Sequence, residues 1–224
     1  MTFPELTEIE RLQRLAPPTG PVDMILDTDT YNEVDDQFAV VYALLSPEKI
    51  RVKGFYAAPF HNNRSEGPAD GMEKSYQEIL RLLDRLDVPP ADLVFRGSER
   101  YLEDWEKPVE SEAAQDLIEK AMARDEDQAP LYVAAIGAIT NVASAMLMEP
   151  EIINRIVVIW LGGHATHWHD TKEFNLWQDP EAARVVFDSG VPLVRIPVMG
   201  VCSHLHTTVP EINRYVDGRG AIGD

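Results

Sequence analysis

Short apolar runs alternate with segments of helical period along most of the chain. The runs at 22–26, 52–56, 93–95, 131–135, 156–161 and 193–196 are apolar nearly throughout, and amphipathic stretches at 35–45, 69–86, 112–124, 140–148 and 180–189 lie between them. Strands without a polar face need cover on both sides, so the alternation predicts an α/β fold, a mostly parallel sheet covered by helices on both faces. Local signals agree: Asp179-Pro180 supplies an N-cap and a first-position proline for the helix at 180–189, and Ser46-Pro47 opens a turn. Ahead of the first strand, Leu6, Ile9, Leu12 and Leu15 mark a short amphipathic helix over 5–15 that ends at Pro17-Pro18. Residues 1–20 are therefore read as a helical arm that packs across the domain or against a second subunit. With no repeat, low-complexity tract or linker, residues 21–224 are read as one α/β domain.

In parallel sheets of this kind ligands bind beyond the carboxyl ends of the strands, and there the polar clusters of this sequence fall. ILDTDTYNEVDD (25–36) contains the end of the first strand, PFHNNR (59–64) follows the second, GAITN (137–141) the fourth and GGHATHWHDTKEFN (162–175) the fifth. These four loops are expected to converge on one site.

Composition narrows the ligand. Asp and Glu total 38 against 20 Lys and Arg, a net charge of −18, which repels phosphate backbones and anionic membrane surfaces. Neither nucleic acid nor membrane is expected as a partner; a cation or a neutral small molecule is. A lone Cys202 allows no intrachain disulfide and suits a reducing compartment. The N-terminus lacks the basic and apolar regions of a signal peptide, and no stretch is long and apolar enough to span a bilayer. A soluble cytoplasmic protein is expected.

The first loop gathers Asp27, Asp29, Glu33, Asp35 and Asp36 within ten residues. Asp27 and Asp29, two apart on extended chain, point the same way. Asp35 and Asp36 stand in the first turn of a helix, where the dipole favours negative charge. Capping accounts for one or two acids, not five. Carboxylates crowded at a buried strand end take up protons or require a countercharge, and an all-oxygen set suits Ca²⁺ or Mg²⁺; a solvated acidic loop is the plain alternative. ILDTDT also fits the DxDxT start of haloacid-dehalogenase-like phosphatases, which would make Asp27 a nucleophile and Mg²⁺ the cofactor. The later lysine and the strand-end acidic pair of that family are not found: the fifth strand runs into WLGGHATHWHD and the sixth into RIPVMGVCSH.

A second motif separates these readings. EFNLWQDPEAARVVF (173–187), preceded by LGG (161–163) and taken in order with DTD…DD and GAITN, resembles the inosine-uridine nucleoside hydrolase family from about residue 22 to 200. The resemblance implies Ca²⁺-dependent hydrolysis of the N-glycosidic bond of ribonucleosides, giving ribose and free base, on a mostly parallel α/β fold assembled as homodimers or tetramers. By motif position it makes Asp29 both calcium ligand and general base, Asp36 the other acidic ligand, and Thr140 a ligand through its carbonyl, though Thr140 also suits a helix cap. It places Asp35, Asn62, Glu173 and Asn175 on the ribose hydroxyls, with His61 the neighbouring choice for Asn62, and leaves Asp27 to orient the others.

The sequence also departs from the family pattern. The acidic loop is two residues longer than DxDPGxDD, which adds Asn32 and Glu33. His167 stands where an asparagine is common and is expected to keep the sugar contact. His164, His167, His169 and Asp170 do not follow a standard zinc spacing; Trp168 and Trp177 suit base stacking or, more so for Trp177, core packing. The family continues past the end of this chain with a further Asp ligand and, in many members, a His that protonates the leaving base. His204 and His206 follow the sixth strand without a spacing that requires that role, and Asp224 in the glycine-rich tail is not given it. A nucleoside-binding module with impaired catalysis is the alternative reading.

Overall fold

Each predicted apolar run becomes a strand, and every pairing between them is parallel. The computed structural model describes residues 2–125 and 128–224, so Met1, at the start of the predicted arm, lies outside the described residues. The strands are β1 (Val22–Thr28), β2 (Ile50–Ala57), β3 (Val94–Arg96), β4 (Leu131–Ala135), β5 (Ile156–Leu161) and β6 (Leu193–Ile196). They form a six-stranded sheet in the order β3-β2-β1-β4-β5-β6. The helices are α1 (Glu8–Leu15), α2 (Val34–Leu44), α3 (Pro68–Arg85), α4 (Glu112–Met122), α5 (Thr140–Met148), α6 (Phe174–Gln178), α7 (Pro180–Asp188) and α8 (Val209–Tyr215). This strand order is the doubly wound arrangement, in which the chain moves outward from β1 in one direction and then in the other.

The alternation of side chains along β1 divides the core. Met24 and Leu26 join Val40, Phe55, Ile79 and Leu83 under α2 and α3. Ile25 joins Leu117, Val133, Val142, Val158 and Trp160 on the opposite face, under α4, α5 and α7. Both faces of the central strands are thus dry, as their uninterrupted apolar sequence requires.

Several boundaries differ from expectation for identifiable reasons. β1 runs two residues beyond 22–26, because Asp27 and Thr28 still pair with β2 and Asp27 with β4. The acidic segment therefore begins inside the sheet. α1 starts at Glu8, since Thr7 and Glu10 close a capping box there. The arm is held by Arg11, whose guanidinium donates to the Gly190 carbonyl at 2.7 Å, and by Phe3, packed on the core; Ile9 and Leu12 face solvent. α6 and α8 were not predicted, being too short at five and seven residues to show a period. No helix among the described residues is long and apolar enough to cross a membrane.

α3 seats the loop that follows β2. A Cβ on Gly71 would lie 2.0 Å from the Phe60 carbonyl oxygen, so only glycine lets the helix approach this closely. Gly71→Ala should destabilise the fold by about 1–3 kcal/mol, the usual range for overpacking, measured by urea denaturation.

Candidate active site

The chain reverses its direction of travel between β1 and β4, and such a switch point opens a crevice at the strand ends. Main-chain bonds continue to the rim of that crevice: Ile136 N–H donates to the Asp27 carbonyl at 2.8 Å and Ala58 N–H to the Thr28 carbonyl at 2.9 Å. Pleating then sends successive side chains to opposite faces. Asp27 turns toward α5, where Asn141 Nδ2 donates to its Oδ2 at 2.8 Å; its Oδ1 is buried and has no partner among the described residues. Asn141 is itself fixed by the N–H and hydroxyl of Ser98, at 2.7 and 2.9 Å from its Oδ1. Thr28 turns toward α2 and donates its hydroxyl to Asp36.

Asp29, just past the strand, is 1% exposed. Its Oδ2 accepts from Asn32 Nδ2 at 3.0 Å, while its Oδ1 sits where Gly137 leaves room, a Cβ there falling 2.9 Å away. Asp27, Asp29 and Asp36 are all buried, and none forms an ion pair among the described residues. Burial raises the Asp27 carboxyl to about 7, with the neighbouring Asp29 charge adding to it and the Asn141 hydrogen bond opposing it. Burial also raises Asp29 to about 7, helped by the charges of Glu33 and Asp35 and opposed by the Asn32 hydrogen bond. Asp36 is pushed well up by burial and then by Asp29, with Asp35 and Glu33 behind. Asp35 and Glu33 themselves are exposed.

The other predicted residues arrive by different elements. Glu173 caps α6: its Oε1 accepts from Asn175 N–H at 2.9 Å, and its Oε2 from Gly163 N–H at 2.7 Å and Leu176 N–H at 2.9 Å. Asn175 Nδ2 donates to the carbonyls of Ile136 and Leu161, both at 3.0 Å, joining the loops after β4 and β5. Both residues retain acceptor lone pairs for hydroxyl donors. Asn62 reaches back to the first loop, donating to Asn32 Oδ1 at 2.7 Å. Thr140 opens α5 after the N-cap Ile139, and its hydroxyl donates to Asp179 at 2.6 Å. The loops after β1, β2, β4 and β5 thus meet, as their places in the sequence implied.

Some candidates lie apart. His167 is exposed beside Gly200. His164 and His169 flank Asp170 at 3.8 and 3.0 Å, and these side chains form no metal cluster among the described residues. His204 and His206 are exposed. Asp224 lines a different cavity of about 500 Å³ between α2, α3 and the chain's end. Trp177, for which core packing was the favoured reading, is 65% exposed, because α6 turns its Leu176 side inward.

Supporting groups beyond the predicted site residues are buried amides, one hydroxyl and the Asp179 cap, whose contacts reach further than its own helix. Gln178 Oε1 accepts from His61 N–H at 2.7 Å and the Tyr101 hydroxyl at 2.5 Å. Asp179 accepts from Leu102 N–H at 3.0 Å and Ala182 N–H at 3.0 Å besides Thr140. Asn32, Asn141, Gln178 and Asp179 fall inside the quoted motifs, which is the available signal; Tyr101 has none, since its burial comes from distant loops.

The donor set bears on a metal. No three His, Cys, Asp or Glu side chains among the described residues converge into a ready-made metal cluster. The buried pair Asp29 and Asp36, without a cationic neighbour and beside the orphaned Asp27 Oδ1, nevertheless fits a hard cation as countercharge. Two carboxylates fall short of the six to eight oxygens that Ca²⁺ takes, so carbonyls, water and substrate hydroxyls would complete such a shell.

This geometry gathers buried carboxylates at the switch point of a doubly wound sheet, with Asn and Glu side chains from the neighbouring loops around them. The family description "Inosine-uridine preferring nucleoside hydrolase" matches residues 24–221, and the chain belongs to that family. It is 34% identical over 192 residues to the pyrimidine-specific ribonucleoside hydrolase RihA of Klebsiella pneumoniae, covering 76% of this chain but only 58% of that protein. The RihA of Escherichia coli is 30% identical with the same coverage, so this chain spans just over half the length of these curated relatives. Among solved structures, a purine-preferring ribonucleoside hydrolase from Gardnerella vaginalis superposes with a TM-score of 0.69 at 26% identity, over 86% of this chain and 65% of that one. The effector protein XopQ, complexed with adenosine diphosphate ribose, gives 0.67 at 19% identity over 98% of this chain and 70% of its own, which shows the fold alone.

The raised carboxyls set a pH dependence. Between the ordinary value of 3.8 and about 7, the folded metal-free protein keeps protons on Asp27 and Asp29 that the unfolded chain has released. The two groups therefore lower its stability as the pH rises through that window. In chelator, Asp29→Asn should flatten the fall of melting temperature between about pH 4 and pH 7 relative to the parent protein, measured by scanning calorimetry.

Proposed function

We propose that this chain hydrolyses the N-glycosidic bond of ribonucleosides, with Asp29 as general base and Ca²⁺ as the resident cation. The observation that carries this reading is the pair of buried carboxylates, Asp29 and Asp36, without a cationic partner among the described residues, near the β1/β4 switch point, inside family motifs that match in order. Asp29 and Asp36 would hold the ion, with Thr140 contributing its carbonyl. When bound, the ion supplies positive charge to a water and to the sugar hydroxyls. Asp29 would take the proton of an attacking water as the water's oxygen bonds to the anomeric carbon and the C–N bond breaks, the base leaving with the bonding pair and taking a proton from solvent. Its burial suits the role, because a carboxylate kept from bulk water holds a proton more tightly than an exposed one.

The remaining residues bind and orient. Asp35, Glu173 and Asn175 offer acceptor oxygens to ribose hydroxyls, and Asn62 offers its remaining amide N–H; His167, lying apart beside Gly200, is given no part in the sugar contact. Asp27 holds its neighbours through Asn141 and the strand rather than touching substrate. The hydrolases named above differ in base preference, the two RihA proteins pyrimidine-specific and the Gardnerella vaginalis hydrolase purine-preferring, so both classes of nucleoside belong in the assay. Homo-oligomeric assembly and a cytoplasmic location are part of the same proposal.

Ribose release from a panel of purine and pyrimidine nucleosides, measured in metal-free protein before and after Ca²⁺ is restored, tests it. Calcium-dependent release is expected; calcium binding without release from any nucleoside would turn the reading to a binding module. Asp29→Ala should lower turnover by at least about a thousandfold, as removal of a general base combined with a metal ligand implies. Glu33→Ala, on an exposed side chain, should change it by less than about threefold.

A further inference from the structure

Asn32 belongs to the part of the acidic loop that is longer than the family pattern, yet it is 3% exposed. An uncharged amide held inside a loop of carboxylates needs partners, and it has one on every side. Its Nδ2 donates to Asp29 Oδ2 at 3.0 Å. Its Oδ1 accepts from Asn62 Nδ2 at 2.7 Å, which fixes the orientation of the amide, since a carboxylate only accepts. Its N–H donates to the Asp29 carbonyl at 2.7 Å, and its carbonyl accepts from the Arg64 guanidinium at 2.6 Å. Arg64 closes the ring, donating its own N–H to Asn62 Oδ1 at 2.9 Å.

Two consequences follow. Asp29 is confined from both sides, its Oδ2 by Asn32 and its Oδ1 by the space Gly137 leaves. Asn62, on the loop after β2, is aimed by the same amide that aims the carboxylate on the loop after β1. We infer that Asn32 is a positioning residue that sets Asp29 and Asn62 as one hydrogen-bonded unit, its amide N–H serving the base and its carbonyl serving the sugar contact. This inference rests on the hydrolase reading above.

The two halves of the amide can be separated. Asn32→Asp keeps the acceptor for Asn62, removes the donor to Asp29 and sets a like charge against it; Asn32→Ala removes both hydrogen bonds and adds no charge. With the calcium-loaded full chain and its best nucleoside, Asn32→Asp should lower kcat by about 10–100-fold, the usual cost of removing a group that orients a metal ligand, and leave KM within about threefold. Asn32→Ala should lower kcat similarly and also raise KM by about tenfold or more. A residue serving only the fold would lower the melting temperature without splitting kcat from KM in this way. Unchanged kcat in both variants, or the same KM shift in both, overturns the assignment. If the parent chain binds calcium but releases no ribose, the hydrolase reading fails separately, and calorimetric titration with CaCl₂ decides: at least tenfold weaker binding by Asn32→Ala supports the positioning role, and equal binding overturns it. If the parent chain neither binds calcium nor releases ribose, both readings fall.

Discussion

Three carboxylates taken out of water around the end of one strand and the start of α2, with no cationic side chain paired to them among the described residues, set the terms for the rest of the site. Removing a charge from water is costly unless hydrogen bonds, protons or a counter-ion compensate it. Here the compensation comes from uncharged donors: Asn141 for Asp27, Asn32 for Asp29 and Thr28 for Asp36. Each neutral donor satisfies a lone pair without cancelling the charge. The site therefore holds protons more tightly than exposed carboxylates do.

The doubly wound sheet makes that concentration of acid possible. Pleating directs Asp27 to the α5 face and Thr28, with its partner Asp36, to the α2 face, so acids only a few residues apart in sequence are supported by different helices. The sheet order then brings the loops after β2, β4 and β5 to the same rim. Side-chain amides join them: Asn62 to Asn32 across the first two loops, and Asn175 to the carbonyls of Ile136 and Leu161 across the other two. An amide both donates and accepts, which lets it link two backbones without adding charge to a site that already carries too much of one sign.

Helix caps have a second use in this arrangement. Asp179 begins α7 and also accepts from Thr140 on α5 and from Leu102, tying the end of one family motif to the start of another. Glu173 begins α6 and anchors Gly163 after β5. Asp179, which reads in sequence as an ordinary helix start, and Glu173, which does not, thus both fix the spacing between loops, and so the shape of the crevice.

The chain's own pattern was sufficient for the architecture. Apolar runs of strand length separated by amphipathic segments admit few solutions other than a covered parallel sheet, because strands dry on both faces need helices on both. The acidic cluster and the EFN and DPEAA segments were legible for the same reason: local chemistry that is dense and ordered survives any choice of tertiary arrangement. What the sequence left open depended on distance in space. The burial of Asn32, the exposure of Trp177, the extension of β1 through Asp27 and the clamp of Gln178 on His61 and Tyr101 are fixed by contacts with loops tens of residues away. A side chain's identity limits what it can bond to; only the fold determines which partners stand within reach and how much water is left between them.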